Sequence, residues 1–141
     1  MILARAKLVY DPLPNTKYFE PNWMYASLSF DFIKYYNYFL KKKGIDLDVG
    51  TPHSTHISVV KGEKPKYPEN WKYRNGEWIW FEYDPIPYSD NGKHIWINVY
   101  SEDLTRIRLH LGLSYRPRFH VTIGRFYKPP TDKYFNYDNP T

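Results

Sequence analysis

The sequence predicts an α+β fold. Three observations carry that expectation. Several short segments alternate apolar and polar residues with the period of a strand. Two longer segments repeat apolar residues at helical spacing. The order along the chain is strand, helix, strand, then strands, helix, strand.

Residues 4–10 alternate as a first strand, which Asp11-Pro12-Leu13-Pro14-Asn15 ends. Residues 15–25 read as a loop rich in aromatics, with a proline at Pro21. From Ala26 to Lys43 the spacing of Leu28, Phe32, Tyr35, Tyr36 and Phe39 predicts a helix. Lys41, Lys42 and Lys43 suit the negative end of its dipole, and Gly44 suits the position just beyond it. That lysine run is helix-end chemistry before it is a phosphate site. A strand is expected over 55–61, then a polar loop from Gly62 to Arg74. Asn75-Gly76 is a hairpin signal, followed by a strand over 77–83 with Trp78, Trp80 and Glu82 on one face. Asp84 to Asp90 is loop, Asn91-Gly92 a second turn signal, and 93–100 a further strand. Ser101 can cap a helix with Glu102 and Asp103 in its first turn, with Leu104, Ile107 and Leu111 as its stripe and Gly112 at its end. The last strand is expected over 118–127. Residues 128–141 hold three prolines and no periodic pattern. Residues 1–127 are therefore expected to form a single domain, and 128–141 a C-terminal tail or flap over the site.

Composition narrows the functional classes. At 141 residues the chain is long enough for a substantial core. It has 15 Tyr, 8 Phe and 5 Trp, enough rings to serve both packing and base stacking. A formal net charge of +5 favours an anionic partner such as a nucleotide. With no cysteine, a disulfide framework and a thiolate metal site are excluded. No stretch is long and apolar enough to span a membrane, and Met1 to Lys7 lacks a signal-peptide core. The expectation is a cytoplasmic protein, with no membrane association and no obligate protein partner; oligomeric state is left open.

Two short segments read alike. His56-Ile57-Ser58-Val59-Val60 and Phe119-His120-Val121-Thr122-Ile123 each place a histidine two residues before a hydroxyl within an apolar run. On a strand, His56 and Ser58 share one face while Ile57 and Val59 share the other; His120 and Thr122 stand likewise against Val121 and Ile123. His53-Ser54-Thr55 also matches the bare pattern, but it follows Thr51-Pro52 without alternation and reads as the loop entering the strand. Two unrelated strands with exposed histidines would give the same pattern; matching flanks, one in each half of the chain, argue against coincidence.

These paired motifs resemble the two-histidine (2H) phosphoesterase superfamily, whose members repeat an apolar-His-apolar-Ser/Thr-apolar motif once in each of two lobes. The resemblance spans about residues 4–127. Ala6-Lys7-Leu8-Val9-Tyr10-Asp11-Pro12 and His56-Ile57-Ser58-Val59-Val60-Lys61-Gly62-Glu63 are further similar to a tailed-phage branch. That branch includes the anti-CBASS nucleases, which degrade the cyclic oligonucleotide signals of bacterial immunity. The resemblance implies a two-lobed fold of antiparallel sheets with flanking helices and a central cleft. It also implies a cyclic di- or trinucleotide substrate, and the host cytoplasm as the setting for a phage product.

The chemistry of the four residues fits phosphodiester cleavage. One imidazole takes the proton of an attacking hydroxyl or water, and the other protonates the leaving oxygen. An ordinary histidine pKa near 6.5 lets one ring be neutral and the other charged near neutral pH. Ser58 and Thr122 can hydrogen-bond the non-bridging oxygens. His56, Ser58, His120 and Thr122 are thus the expected catalytic set, with neither histidine assigned as acid or base. No cofactor and no metal is expected: His53 and His56 are three apart, which puts them on opposite faces of a strand, and no acidic cluster stands beside them.

For the base, Tyr10, Trp80 and Glu82 are the candidate substrate-binding residues. Tyr10 ends the first strand in the phage-like segment, and Trp80 shares a face with Glu82, which can accept from a base amino group. Core packing would use the same rings. Trp23, Trp71 and Trp96 are further ring candidates. Lys61 and Arg125 lie just past the motifs, and period-two parity turns them away from the histidines. Four functions compete: cleavage of cyclic di- or trinucleotides, such as 3′,3′-cyclic GMP-AMP, at 3′–5′ bonds in phage evasion of CBASS; an RNA 2′,3′-cyclic phosphate or 2′–5′ phosphodiesterase; a non-catalytic nucleotide-sequestering module; and a structural phage component.

Overall fold

Among the described residues, seven strands pair into one antiparallel sheet, and two α-helices cover one of its faces. A computed structural model describes residues 1–28, 31–49, 55–89 and 92–127. The strands are β1 (Ile2–Tyr10), β2 (Trp23–Leu28), β3 (Leu47–Asp48), β4 (His56–Lys61), β5 (Trp78–Tyr83), β6 (His94–Tyr100) and β7 (Phe119–Phe126). The helices are α1 (Phe32–Lys42) and α2 (Glu102–His110). The order across the sheet is β3-β7-β6-β5-β1-β2-β4. Residues 128–141, His53 and Asn91 lie outside the described residues, and with them the expected tail, one of the two histidines weighed as metal ligands and part of the second turn signal.

The hydrophobic effect divides the sheet into two faces. Ala6, Leu8, Met24, Ala26, Ile57, Val59, Ile79, Phe81, Ile97, Val99 and Val121 are buried in one core on the helix-covered face. There α1 packs against β7, and α2 against β5 and β4. Cross-strand partners share a face in an antiparallel sheet. The pairs His56–Ser27, Ser27–Lys7, Lys7–Trp78 and Arg5–Trp80 therefore put these side chains together on the opposite, open face. Leu3–Glu82, Glu82–Tyr100 and Asn98–His120 extend that face across the remaining strands.

Two connections shape the sheet. β5 and β6 are joined by only two residue pairs, Glu82–Tyr100 and Tyr83–Val99, whereas β1 pairs with β5 over six. β4 ends the sheet on one side and β7 lies next to the other end, yet residues of the two come within 8 Å, Cα to Cα. The sheet is therefore curved, and it brings the two motif strands together.

Residues 23–28 form strand, not the end of a loop and the start of a helix. Leu28 stands four before Phe32, and this extends the helical pattern one turn too far. WMYASL pairs on both sides, to β1 and to β4, and that pairing overrides the local spacing. The helix begins after Asp31, whose side chain accepts from the Lys34 backbone N–H. Its buried stripe is Phe32, Tyr36 and Leu40, while Tyr35 and Phe39 are exposed. Lys41 and Lys42 occupy the last turn and Gly44 follows at φ 81°, as the capping pattern predicts. Ser101 accepts from the Leu104 N–H and caps α2. Asn75-Gly76 makes a turn but no hairpin: it follows a short 3₁₀ turn at Pro68–Asn70 and feeds β5 alongside β1, with Gly76 N–H donating to the Leu8 carbonyl. Strand β3 has no counterpart in the sequence reading. It pairs with β7 at Gly124's end, where a Cβ on Gly124 would come within 2.9 Å of the Asp48 carbonyl oxygen. Among the described residues, no helix is long and apolar enough to cross a membrane.

Candidate active site

Both histidine motifs lie on strands, and both present the histidine and the hydroxyl to the open face. On β4, His56 and Ser58 are half-buried while Ile57 and Val59 are buried. On β7, His120 and Thr122 are exposed while Val121 and Ile123 are buried. The local repeat goes further than the sequence pattern. Met24 pairs with Val60 and Tyr25 with Ser58, so Val59 is an extra residue on β4. Ile95 pairs with Gly124 and Trp96 with Thr122, so Ile123 is an extra residue on β7. Each motif strand thus carries a β-bulge at the residue directly after its hydroxyl. Bulges re-aim side chains and increase local twist.

The bulges correct the parity of Lys61 and Arg125. Beyond a bulge the alternation is offset by one. Lys61 pairs with Trp23 and Arg125 with His94, and both partners belong to the open face. Both cations therefore stand on the side of the histidines; the Lys61 ammonium sits 5.0 Å from the Trp23 ring centre.

The two rings have different surroundings. His56 stacks on Tyr25 with centroids 4.4 Å apart and planes at 23°, and meets Trp23 edge-on at 6.0 Å. His120 lies 6.2 Å from the Trp96 ring. It also lines a pocket of about 360 Å³ with His94, Trp96, Asn98, Arg118 and Thr122. Crowding by protein atoms holds His120 below its ordinary pKa, and the charges of Arg116, Arg118, His56 and His94 push the same way. Its ring is still exposed to solvent, so water moderates the effect. His56 appears among those charges, which places the two motif histidines in one electrostatic environment.

Asn98 is 1 % exposed and sits directly across from His120. Trp96 Nε1 donates to Asn98 Oδ1 at 2.8 Å, and the Asn98 amide nitrogen is buried without a hydrogen-bond partner. Sequence reasoning missed His94, Asn98 and Arg118. One signal was available: His94-Ile95-Trp96-Ile97-Asn98-Val99 puts a strand-averse asparagine in an otherwise apolar run.

The base-binding candidates separate. Trp80 and Glu82 lie on the open face, exposed, beside Leu3, Tyr100 and Arg106 in a crevice at the edge of β5. Arg5 lies between two rings, 5.1 Å from Trp78 and 5.7 Å from Trp80. Tyr10 does not join them. It pairs with Met24 on the core face, is 6 % exposed, and donates its hydroxyl to the Tyr73 carbonyl at 2.8 Å. Trp71 packs edge-on against it at 4.9 Å and donates to the Asp11 carboxylate. Burial pushes the Tyr10 hydroxyl pKa well up. Tyr10 and Trp71 are therefore packing residues between the end of β1 and the loop that precedes β5.

β4 is held in place from the helix side. Arg108 on α2 is fully buried; it donates to the Val59 carbonyl at 2.8 Å and to both Glu63 oxygens at 2.8 and 2.9 Å. Val59 is the bulged residue, whose backbone the sheet ladder leaves unpaired, so the guanidinium satisfies a carbonyl that the bulge would otherwise orphan. Among the described residues, no three His, Asp or Glu side chains gather as a metal site. No family model, curated protein or solved structure matches this chain.

Proposed function

We propose that this chain is a metal-independent phosphodiesterase acting on cyclic di- or trinucleotides, with His56 and His120 as its acid–base pair. The carrying observation is that two strands from distant parts of the sheet meet with their histidines and hydroxyls on one open face. The weak β5–β6 junction divides the strands into groups of four and three, each holding one motif, which supports a two-lobed 2H organisation. His120, held below its ordinary pKa, is neutral at pH 7 and suits the base. It takes the proton of the attacking hydroxyl or water. The attacking oxygen bonds to phosphorus, the bond to the leaving oxygen breaks, and His56 donates the proton that the leaving oxygen needs. Ser58 and Thr122 hydrogen-bond the non-bridging oxygens as charge accumulates. The open-face cations Lys61 and Arg125 favour an anionic ligand. A role in phage evasion of CBASS follows from the resemblance alone.

A second reading, an RNA-end phosphodiesterase, is favoured by one feature. Arg5, Trp78 and Trp80 form an exposed cation–ring platform two and three strands away from His56, where further bases of a longer strand would stack.

The test is incubation in EDTA with 3′,3′-cyclic GMP-AMP, cyclic di-AMP, cyclic tri-AMP and an RNA 2′,3′-cyclic phosphate, followed by HPLC and mass spectrometry. His56→Ala and His120→Ala are run beside the wild type. The reading predicts cleavage of a cyclic oligonucleotide and a loss of roughly 10²–10⁴-fold in each variant. Turnover of the RNA end alone supports the second reading. Binding without turnover supports a sequestering module, and no binding removes the functional reading of both motifs.

A further inference from the structure

We propose that the Asn98 carboxamide is a phosphate-oxygen donor in the His120 pocket, a substrate-positioning residue outside the two motifs. This deepens the phosphodiesterase reading and rests on it for the meaning of the bound phosphate, though not for the binding itself.

The orientation of the amide is set by chemistry. An indole N–H can only donate, so the oxygen of Asn98 faces Trp96 Nε1, 2.8 Å away. The NH₂ end is then fixed on the other side, where it has no partner and is shut off from solvent. Buried polar groups are almost always satisfied, and an orphaned donor in a fold is an exception that asks for a reason. The position makes the exception sharper: neighbouring Ile97 and Val99 are fully buried on the helix side, and asparagine is disfavoured in strands. An apolar or β-branched residue at 98 would have left no orphan.

The surroundings give the reason. Asn98 is the cross-strand partner of His120 and lines the same pocket as Thr122 and Arg118. An amide NH₂, a hydroxyl and a guanidinium all offer hydrogens, and two of the three can offer nothing else. A pocket lined this way selects a ligand rich in acceptors and negative in charge. The non-bridging oxygens of a phosphodiester are such a ligand. A donor already oriented by Trp96 meets those oxygens once the side chains that cover its NH₂ give way to the ligand.

The test is a titration of the ¹⁵N-labelled protein with inorganic phosphate against chloride at equal ionic strength, followed by NMR. The side-chain NH₂ pair of Asn98, assigned through its own backbone, and the His120 ring are read together. The proposal expects both to shift along one saturable curve. It expects Asn98→Asp, with a carboxylate of the same shape, to bind phosphate at least tenfold more weakly. A His120 ring that saturates while the Asn98 pair stays still would overturn the proposal, as would an absence of saturable phosphate binding. The wild-type resonances decide the matter even if Asn98→Asp does not fold. Phosphate binding at Asn98 in a protein that cleaves no phosphodiester would keep this inference and remove the enzymatic reading.

Discussion

Arg108→Met tests whether α2 holds the β4 bulge, and with it the His56 motif, in register. Methionine roughly conserves the buried volume, so the cavity contribution is small. The polar losses dominate. Arg108 has no exposed side-chain surface and makes five hydrogen bonds, to Val59 O, both oxygens of Glu63, Ser114 O and Ser114 Oγ. Removing one partner of a fully buried ion pair costs about 3–5 kcal/mol. Glu63 keeps 34 % of its side-chain surface exposed and regains water when Arg108 goes, which moves the expectation to the lower end. The Val59 carbonyl, left buried and unpaired, contributes about 1–2 kcal/mol of that loss. We expect about 3 kcal/mol, or a fall of roughly 10 °C in Tm for a domain of this size. Urea and thermal unfolding followed by circular dichroism measure it, with Glu63→Gln and the double variant completing a cycle. The pH dependence gives an independent check. Hydrogen bonds from Arg108 hold the Glu63 carboxyl below its ordinary 4.5, against the opposing effect of burial. A lowered carboxyl pKa contributes stability above the unfolded value, and that stability is lost as pH falls through the folded value. Wild type should therefore lose stability below about pH 4.5 more steeply than Arg108→Met. A loss under 1 kcal/mol, or parallel acid limbs in the two proteins, would refute the reasoning.

Three further outcomes are expected. His120 should titrate with a midpoint below 6.5, because crowding and the neighbouring cations disfavour its charged form; kcat/KM should then hold through pH 6.5 and fall at lower pH. The unfolded chain takes up that proton first, so the same group lowers stability as pH drops from 6.5 through the folded midpoint; a ring-proton NMR titration with its midpoint above 6.5 would contradict both statements. Gly124→Ala should destabilise by about 1–3 kcal/mol in urea unfolding, since its Cβ would sit 2.9 Å from the Asp48 carbonyl oxygen and 3.2 Å from Leu47 Cβ. Lys61→Glu and Arg125→Glu should each lower kcat/KM on an anionic dinucleotide by about tenfold at low salt and by much less at 0.5 M, where the charges are screened; no loss at either salt would place the two cations away from the ligand's path.

Strands with strict alternation were legible because their pattern is local. β1, β4, β5, β6 and β7 all fall within one or two residues of the expected spans. The same holds for α2, whose cap and stripe agree with each other. What was not legible depends on partners distant in sequence. β2 is a strand because β1 and β4 flank it, and its own residues also fit a helical register with α1. β3 is two residues long and pairs with Arg125 and Phe126 of β7, beside Gly124, where a Cβ would crowd the Asp48 carbonyl oxygen. Tyr10's place in a phage-like segment points toward the site, but alternation from Ala6 and Leu8 assigns it to the core face. In the candidate site, the histidines and hydroxyls were readable from parity alone, whereas Asn98 and His94 became candidates only once β6 was seen to pair with β7.

The bulges explain why parity succeeded inside each motif and failed just beyond it. A strand without a bulge would turn Lys61 and Arg125 toward the helices, where two unpaired cations would be buried at high cost. With one extra residue after Ser58 and another after Thr122, each cation returns to the open face. The same device increases twist, which helps a sheet of seven strands curve until β4 and β7 meet. The backbone group that a bulge leaves unpaired must then be satisfied from outside the ladder, and on β4 buried Arg108 does so at the Val59 carbonyl. Sequence positions 56–61 and 120–125 thus repeat a histidine, a hydroxyl, a bulged apolar residue and a cation in the same order. Chance placement of two exposed histidines accounts for the first element of that repeat; it has no reason to produce the bulge and the cation in both copies.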